Sequence, residues 1–249
     1  MGTSQSSPGP GGKSPLIPPW ADDTPEQALP NSGNRRYASF RESLGRAVSN
    51  GSSSDLRKAV GHYAKISSGG SAAAVRRMGS ATSVGSQLFG LLTSGSGTGT
   101  SAINLDSLNG LPVDIAISRI TQSLATEDGD SEKIRAAMNL SLAEALEGIE
   151  IFDSQNVTAE IITNTMINYL CRVIFVQLMM DSGGAFDKAE TPKQAIHIEN
   201  SLYSLIDVIV NEHMAERLSN NISTLTQVQV KEIQRQTIID VWIEWENYA

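Results

Sequence analysis

Residues 158–180 read TAEIITNTMINYLCRVIFVQLMM, and their centre, Tyr169-Leu170-Cys171-Arg172-Val173-Ile174-Phe175-Val176, is apolar on nearly every helical face. A soluble helix of this kind is buried at the middle of a helical bundle, because no face is left for water. The spacing predicts a long central helix over about Thr158–Met180, stopped by Gly183-Gly184.

The segments on either side repeat the helical period. Upstream, Pro112 suits a first-turn position, and Val113, Ile117, Ile120 and Leu124 form a stripe. Asp128-Gly129-Asp130-Ser131 reads as a turn and cap, followed by a helix carrying Ile134, Met138, Leu142, Ala145, Leu146 and Ile149. Downstream, Thr191-Pro192 opens a helix through Ile198, Leu202, Leu205, Ile209 and Met214. A last helix, about Thr226 to Trp245, turns Val230, Ile233, Thr237, Ile238, Val241 and Trp242 inward. No alternating strand pattern competes, and the helices share no repeat. The expected fold class is all-α: a C-terminal bundle of about five helices over residues 102–249.

The first hundred residues have a different composition. They hold 16 of the 21 Gly, 7 of the 9 Pro, and 10 Lys+Arg against 5 Asp+Glu, a formal charge of +5. The rest holds 9 basic and 22 acidic residues, −13, so the two parts sum to the −8 of the whole. A Gly/Ser/Pro-rich arm with short weak helices therefore precedes an acidic body. The prolines make residues 1–34 an extended or disordered tail. Residues 35–94 read as short helices, with Tyr37, Phe40, Leu44 and Val48 on one stripe and Asn50-Gly51 as a stop. Ser54 or Asp55 could cap the second helix, carrying Leu56, Val60, Tyr63 and Ile66. A third piece covers Ala72–Met78, and a fourth carries Val84, Leu88, Leu91 and Leu92. Such helices are marginal alone and need a surface to fold upon. Residues 95–101 read as a flexible linker.

Chemistry-bearing constellations are absent from the sequence pattern. Gly11-Gly12-Lys13-Ser14 lacks the earlier glycine of a phosphate-binding loop, and Pro15 blocks the following turn. His62, His197 and His213 stand in no metal-ligand spacing, so no metal or cofactor is expected. Cys171, the one cysteine, sits in the most apolar helix as a buried thiol and excludes an internal disulfide. Glu144, Glu147 and Glu150, at i, i+3 and i+6, read as a solvated helix face, as do Glu244 and Glu246 around Trp245. No continuous apolar run of membrane-spanning length and no secretory leader pattern appears, which gives a cytoplasmic expectation.

Two features of the arm point to partners. Pro15-Leu16-Ile17-Pro18-Pro19-Trp20 is a stiffened apolar segment whose Leu16, Ile17 and Trp20 could fill pockets on a partner. Arg35, Arg36, Arg41, Arg46, Arg57, Lys58, Arg76 and Arg77 could meet nucleic acid or an acidic surface. The start, Met1-Gly2-Thr3-Ser4-Gln5-Ser6, also fits a myristoylation pattern. Gly2 is small, so removal of Met1 is expected. The resulting amine, with a pKa of roughly 8, is nucleophilic in useful fraction and carries no obstructing side chain.

The opening Met-Gly-Thr-Ser, the Gly/Pro-rich stretch to Lys13, the Pro15–Trp20 segment and the arm-plus-bundle plan resemble the QatB family. These are accessory subunits of the Qat bacterial antiphage defence system. The resemblance implies no enzymatic activity for this chain. It implies a partnership with a QueC-like enzyme (QatC), and extends the candidate partners to a P-loop ATPase (QatA) and a TatD-like nuclease (QatD). QueC relatives activate a deazapurine carboxylate with ATP and pass it to an amine. The expectation is that Gly2 is the acceptor, with Thr3 and Ser4 beside it and Leu16, Ile17 and Trp20 anchoring the tail. The alternative reading is a nucleic-acid-binding accessory factor using residues 35–77.

Overall fold

The structure, a computed structural model, describes residues 14–22, 24, 26–28, 33, 35–97, 103–219 and 222–248. Among them are nine α-helices and no strand, so the all-α expectation holds. The helices are α1 (Ala38–Asn50), α2 (Ser53–His62), α3 (Ser71–Arg77), α4 (Gly79–Ser94), α5 (Val113–Ser123), α6 (Ser131–Ala145), α7 (Ala159–Ser182), α8 (Pro192–Ser219) and α9 (Gln227–Glu246). The chain divides into two compact units. One comprises Met1–Arg77, Ile174–Ile209 and Ile238–Ala249; the other comprises Met78–Val173 and Val210–Thr237.

Local chemistry explains most helix ends. Gly51 closes α1 at φ +70°, and its N–H donates to the Ala47 carbonyl at 2.8 Å. Glycine is suited to that left-handed cap because it has no Cβ to clash. The N-cap of α2 is Ser52, whose hydroxyl accepts from the Asp55 N–H at 3.2 Å. This corrects the expected cap at Ser54 or Asp55. Asp55 instead lies in the first turn, where its charge suits the helix dipole. Helix α6 ends at Ala145, so Glu147 and Glu150 do not continue a helical face with Glu144. Gly148, at φ +83°, lies in the turn that separates them.

In the first unit the core is aromatic. Phe40, Tyr63, Trp242 and Trp245 are buried, with ring centroids 4.9 Å apart for Phe40–Tyr63, 6.0 Å for Tyr63–Trp242 and 5.1 Å for Trp242–Trp245. Tyr37, Phe40, Leu44 and Val48 of the predicted stripe are all buried. A turn of π-helix, Tyr63–Ser67, extends α2 and brings Ser68 under the Trp242 indole, which donates to its hydroxyl at 2.7 Å. Trp245, read from the sequence as a residue between two surface glutamates, is fully buried.

In the second unit, Leu88, Ile120, Ile134, Met138, Leu170, Cys171, Met214 and Val230 are buried at 0% exposure. Glycine does the packing work on α4. A Cβ at Gly85 would stand 2.7 Å from Tyr169 Cε1 and 3.0 Å from Gln234 Cδ. The Tyr169 hydroxyl donates to the Ala81 carbonyl at 2.8 Å, which fixes that ring. Gly85→Ala therefore forces a fully buried tyrosine and glutamine to move, and is expected to cost about 1–3 kcal/mol. Chemical denaturation of the variant checks this: an unchanged midpoint means that the neighbours accommodate the methyl.

Residues 159–188 form the one helical stretch among those described that is long and apolar enough to cross a membrane, with 61% of its most apolar window buried. The sequence has no continuous apolar run there, in keeping with the reading of this segment as a buried bundle helix. Its apolar surface is mostly taken up inside the fold.

Candidate functional site: a leader segment fastened by two arginines

Residues 14–22, 24 and 26–28 lie within the first unit and are held by it at two points. Arg36 reaches back across its own chain. Its Nη1 donates to the Ser14 carbonyl at 2.7 Å and its Nη2 to the Pro15 carbonyl at 3.2 Å. The guanidinium lies over the Tyr37 ring, 4.7 Å from its centroid, and Arg41 stacks on the same ring at 4.8 Å. Cation–π contact and hydrogen bonding together compensate a charge that is only 3% exposed. Arg35, just before, has φ +63° and is the one non-glycine residue in the left-handed region among those described. Such a conformation costs of order 1–3 kcal/mol and persists where neighbouring contacts enforce it.

The second fastening is Arg76. Its Nε and Nη2 grip the Asp22 carboxylate at 3.1 and 2.7 Å. Its remaining donors reach the carbonyls of Ala28 at 3.0 Å, Thr24 at 3.2 Å and Gln27 at 3.1 Å. Only arginine, with five donors in a rigid fork, can gather a carboxylate and three carbonyls at once. The pair is dry: the side chains of Arg76 and Asp22 are 9% and 5% exposed.

Between the two fastenings, Leu16 and Ile17 are buried and form one apolar cluster with Ala73. Leu16 sits over Gly69, which has φ +81°; a Cβ there would be 2.5 Å from Leu16 Cδ2. Pro18–Ala21 forms a turn closed by the Ala21 N–H on the Pro18 carbonyl at 3.0 Å. Trp20 projects from this turn with 51% of its surface exposed.

Two other arginines, Arg41 and Arg77, belong to a buried network around Asp181. Its Oδ2 accepts from the Tyr63 hydroxyl at 2.7 Å and from Gln177 Nε2 at 2.9 Å, Arg77 stands 4.0 Å from Oδ1, and Arg41 Nε donates to the main-chain carbonyl at 2.9 Å. Burial, then the Asp181 charge, pushes the Tyr63 phenol well above its ordinary range, so it remains a neutral donor.

The sequence-predicted residues are thus divided. Leu16, Ile17, Arg36 and Arg76 are buried in their own chain, Arg41 and Arg77 are half-buried beside it, and Trp20 and Arg35 face outward. Arg46 is exposed and pairs with Glu42 at 2.8 Å. Arg57 and Lys58 line an open cleft of about 480 Å³ with Ser53, Ser54 and Tyr248. Gly2, Thr3 and Ser4 lie outside the described residues. Sequence reasoning missed the clamping role of Arg36 and Arg76. Their partners are mostly backbone carbonyls, which leave no signature in sequence. Among the described residues no three His, Cys, Asp or Glu side chains gather as a metal site.

The Arg76 contact, first of all its hydrogen bonds, holds the Asp22 carboxyl below its ordinary value. A carboxylate depressed on folding contributes stability above its unfolded pKa of about 3.9, and that contribution is lost as pH falls through the lower folded value. The expected result is loosening of residues 14–28 below about pH 4. Faster proteolysis of this segment in acid than at neutral pH, with the helices still protected, checks it. An acid-insensitive segment contradicts it.

No curated protein and no solved structure matches the chain. A family model does, that of the Qat anti-phage system associated protein QatB, over residues 69–243. The match begins at Gly69, beneath Leu16, and takes in Arg76, Asp181 and Trp242. It covers well over half of the chain, which therefore belongs to the QatB family of Qat anti-phage system associated proteins.

Proposed function

We propose that this antiphage defence accessory protein is a non-enzymatic, cytoplasmic subunit that works with a QueC-like enzyme and presents its N-terminal Gly2 amine for deazaguanine-type modification. One observation carries the reading: Arg36 and Arg76 hold the chain from Ser14 onward by its carbonyls and by Asp22. A leader needs such a hold if its end is to reach another protein's active site while its base stays on the fold. Twelve residues, Gly2–Lys13, precede the held point.

The chemistry asked of this chain is small. The partner activates a deazapurine carboxylate with ATP, releasing pyrophosphate. The Gly2 nitrogen then forms the amide bond to the carboxyl carbon, AMP leaves, and the amine proton passes to solvent. An amine near its pKa supplies the nucleophile, and the absence of a side chain on Gly2 opens the approach. Thr3 and Ser4 are the residues that would enter the channel with it.

Nucleic-acid binding through residues 35–77 is less well supported. Four of its nine Lys and Arg side chains, Arg36, Arg41, Arg76 and Arg77, are turned inward or against Asp181, and Arg46 is paired with Glu42. Mass spectrometry of the N-terminal peptide, purified from cells carrying the whole operon, tests the primary reading. A mass addition on Gly2 corresponding to a deazaguanine amide supports it. An unmodified Gly2, or a retained Met1, removes it.

A further inference from the structure

Resting on that reading, we propose that the Pro18–Ala21 turn is a preorganised docking element, that Trp20 is its anchor, and that the protein it docks on is the enzyme that takes the Gly2 amine. Most large apolar side chains of this unit are covered, and the neighbours of Trp20 show why it is not. Leu16, Ile17 and Ala21 are at most 5% exposed, whereas the indole between them is 51% exposed. The chain is pinned upstream by Arg36 at Ser14 and Pro15, and downstream by Arg76 at Asp22. Pro19 precedes Trp20 in the turn, and a proline in a central turn position has its φ already fixed. An exposed tryptophan held this way loses little further freedom on binding, and that lowers the cost of association. Tryptophan is also the residue type most enriched among interface positions that dominate affinity.

The fitting partner surface is an apolar pocket of indole size, with donors or acceptors at its rim for the indole N–H. The length of chain ahead of the clamp identifies whose pocket it is. Twelve residues from Gly2 to Lys13 span at most roughly 40 Å when fully extended. An enzyme that receives the amine must therefore place its active site within about that distance of Ser14. A body standing within that distance is close enough to meet the surface from which Trp20 projects. Tethering of this kind raises the local concentration of the amine at the active site, which acts on substrate capture more than on chemistry. Arg36, Arg76 and Gly69 are positioning residues in this scheme: they hold the turn and touch no reacting atom.

The test uses the full-length chain and a purified QueC-like enzyme of a Qat system. Trp20→Ala is expected to weaken binding at least tenfold and to raise KM for Gly2 modification by a similar factor, with kcat unchanged. Trp20→Phe should recover part of the affinity. Gly69→Ala, which pushes Leu16 from its seat, should weaken binding with Trp20 intact, and hydrogen exchange over residues 14–22 reports whether the seat was lost. In wild type, acrylamide quenching of the exposed indole should fall when the enzyme binds, since Trp242 and Trp245 are already buried. Wild-type affinity and KM in Trp20→Ala overturn the docking role. So does a complex in which the active site lies beyond the reach of the leader. If wild-type Gly2 is never modified, the functional reading fails, and the affinity of Trp20→Ala still decides the anchor by itself.

Discussion

Trp242→Ala is expected to lower the unfolding free energy by about 3–5 kcal/mol, the range for emptying a fully buried aromatic site. Trp242 has 0% exposure and touches both Tyr63 and Trp245 through ring contacts. Its removal forfeits apolar burial and leaves a cavity that three large rings cannot easily collapse into. It also takes away the donor to Ser68. That hydroxyl donates to the carbonyls of Tyr63 and Ala64, both at 3.0 Å, and so secures the end of the π-helical turn. The loss should therefore spread beyond the cavity. Hydrogen exchange should rise over Tyr63–Ser68 and then over residues 14–17, which the same unit seats. Trp242→Phe separates the two contributions: it keeps most of the apolar volume and removes only the N–H, with an expected cost of about 1–2 kcal/mol. Urea denaturation followed by far-ultraviolet dichroism gives both values. A Trp242→Ala midpoint equal to that of wild type would mean that this aromatic cluster is not a stabilising core.

Most of the helical pattern was legible in the sequence. The i, i+3, i+4 stripes located α1, α5, α6, α8 and α9, because each of these helices buries one face and apolar spacing records that directly, whereas α7 was located by a centre apolar on nearly every face. The composition of residues 38–94 was harder to interpret. Glycine and serine there suggested weak, loosely placed helices. Gly85 instead marks a site where a tyrosine and a glutamine come too close for a methyl group, and Gly45 faces the Lys188 stem at 3.0 Å. Composition alone does not separate a flexible glycine from one selected for close approach. Basic residues raised a similar ambiguity. Arg36 and Arg76 share a sequence character with Arg57 and Lys58, but the first two bind backbone carbonyls inside the fold and the second two face an open cleft. Nothing local in the sequence distinguishes a cation at the surface from one buried against its own chain's carbonyls.

Gly2→Leu is expected to abolish phage protection in cells carrying the whole operon while leaving the fold intact. A bulky residue after the initiator keeps Met1 in place, so the amine is moved one residue outward and the unobstructed glycine is lost. If modification needs that glycine, the adduct disappears from the N-terminal peptide and protection disappears with it. Stability should not follow, since position 2 lies twelve residues ahead of the Arg36 hold and far from the aromatic core in sequence. An unchanged thermal midpoint therefore excludes unfolding as the cause. Gly2→Ala is the informative companion. Alanine still permits removal of Met1 and so keeps the primary amine on residue 2, adding only one methyl beside it. Partial protection with a reduced adduct would locate the requirement in access to the amine, whereas complete loss would place it in a pocket too tight for a Cβ. Full protection by Gly2→Leu, with Met1 demonstrably retained, would show that the leader acts without an amine on residue 2. The function would then have to lie in the Trp20 turn or in the helical units themselves.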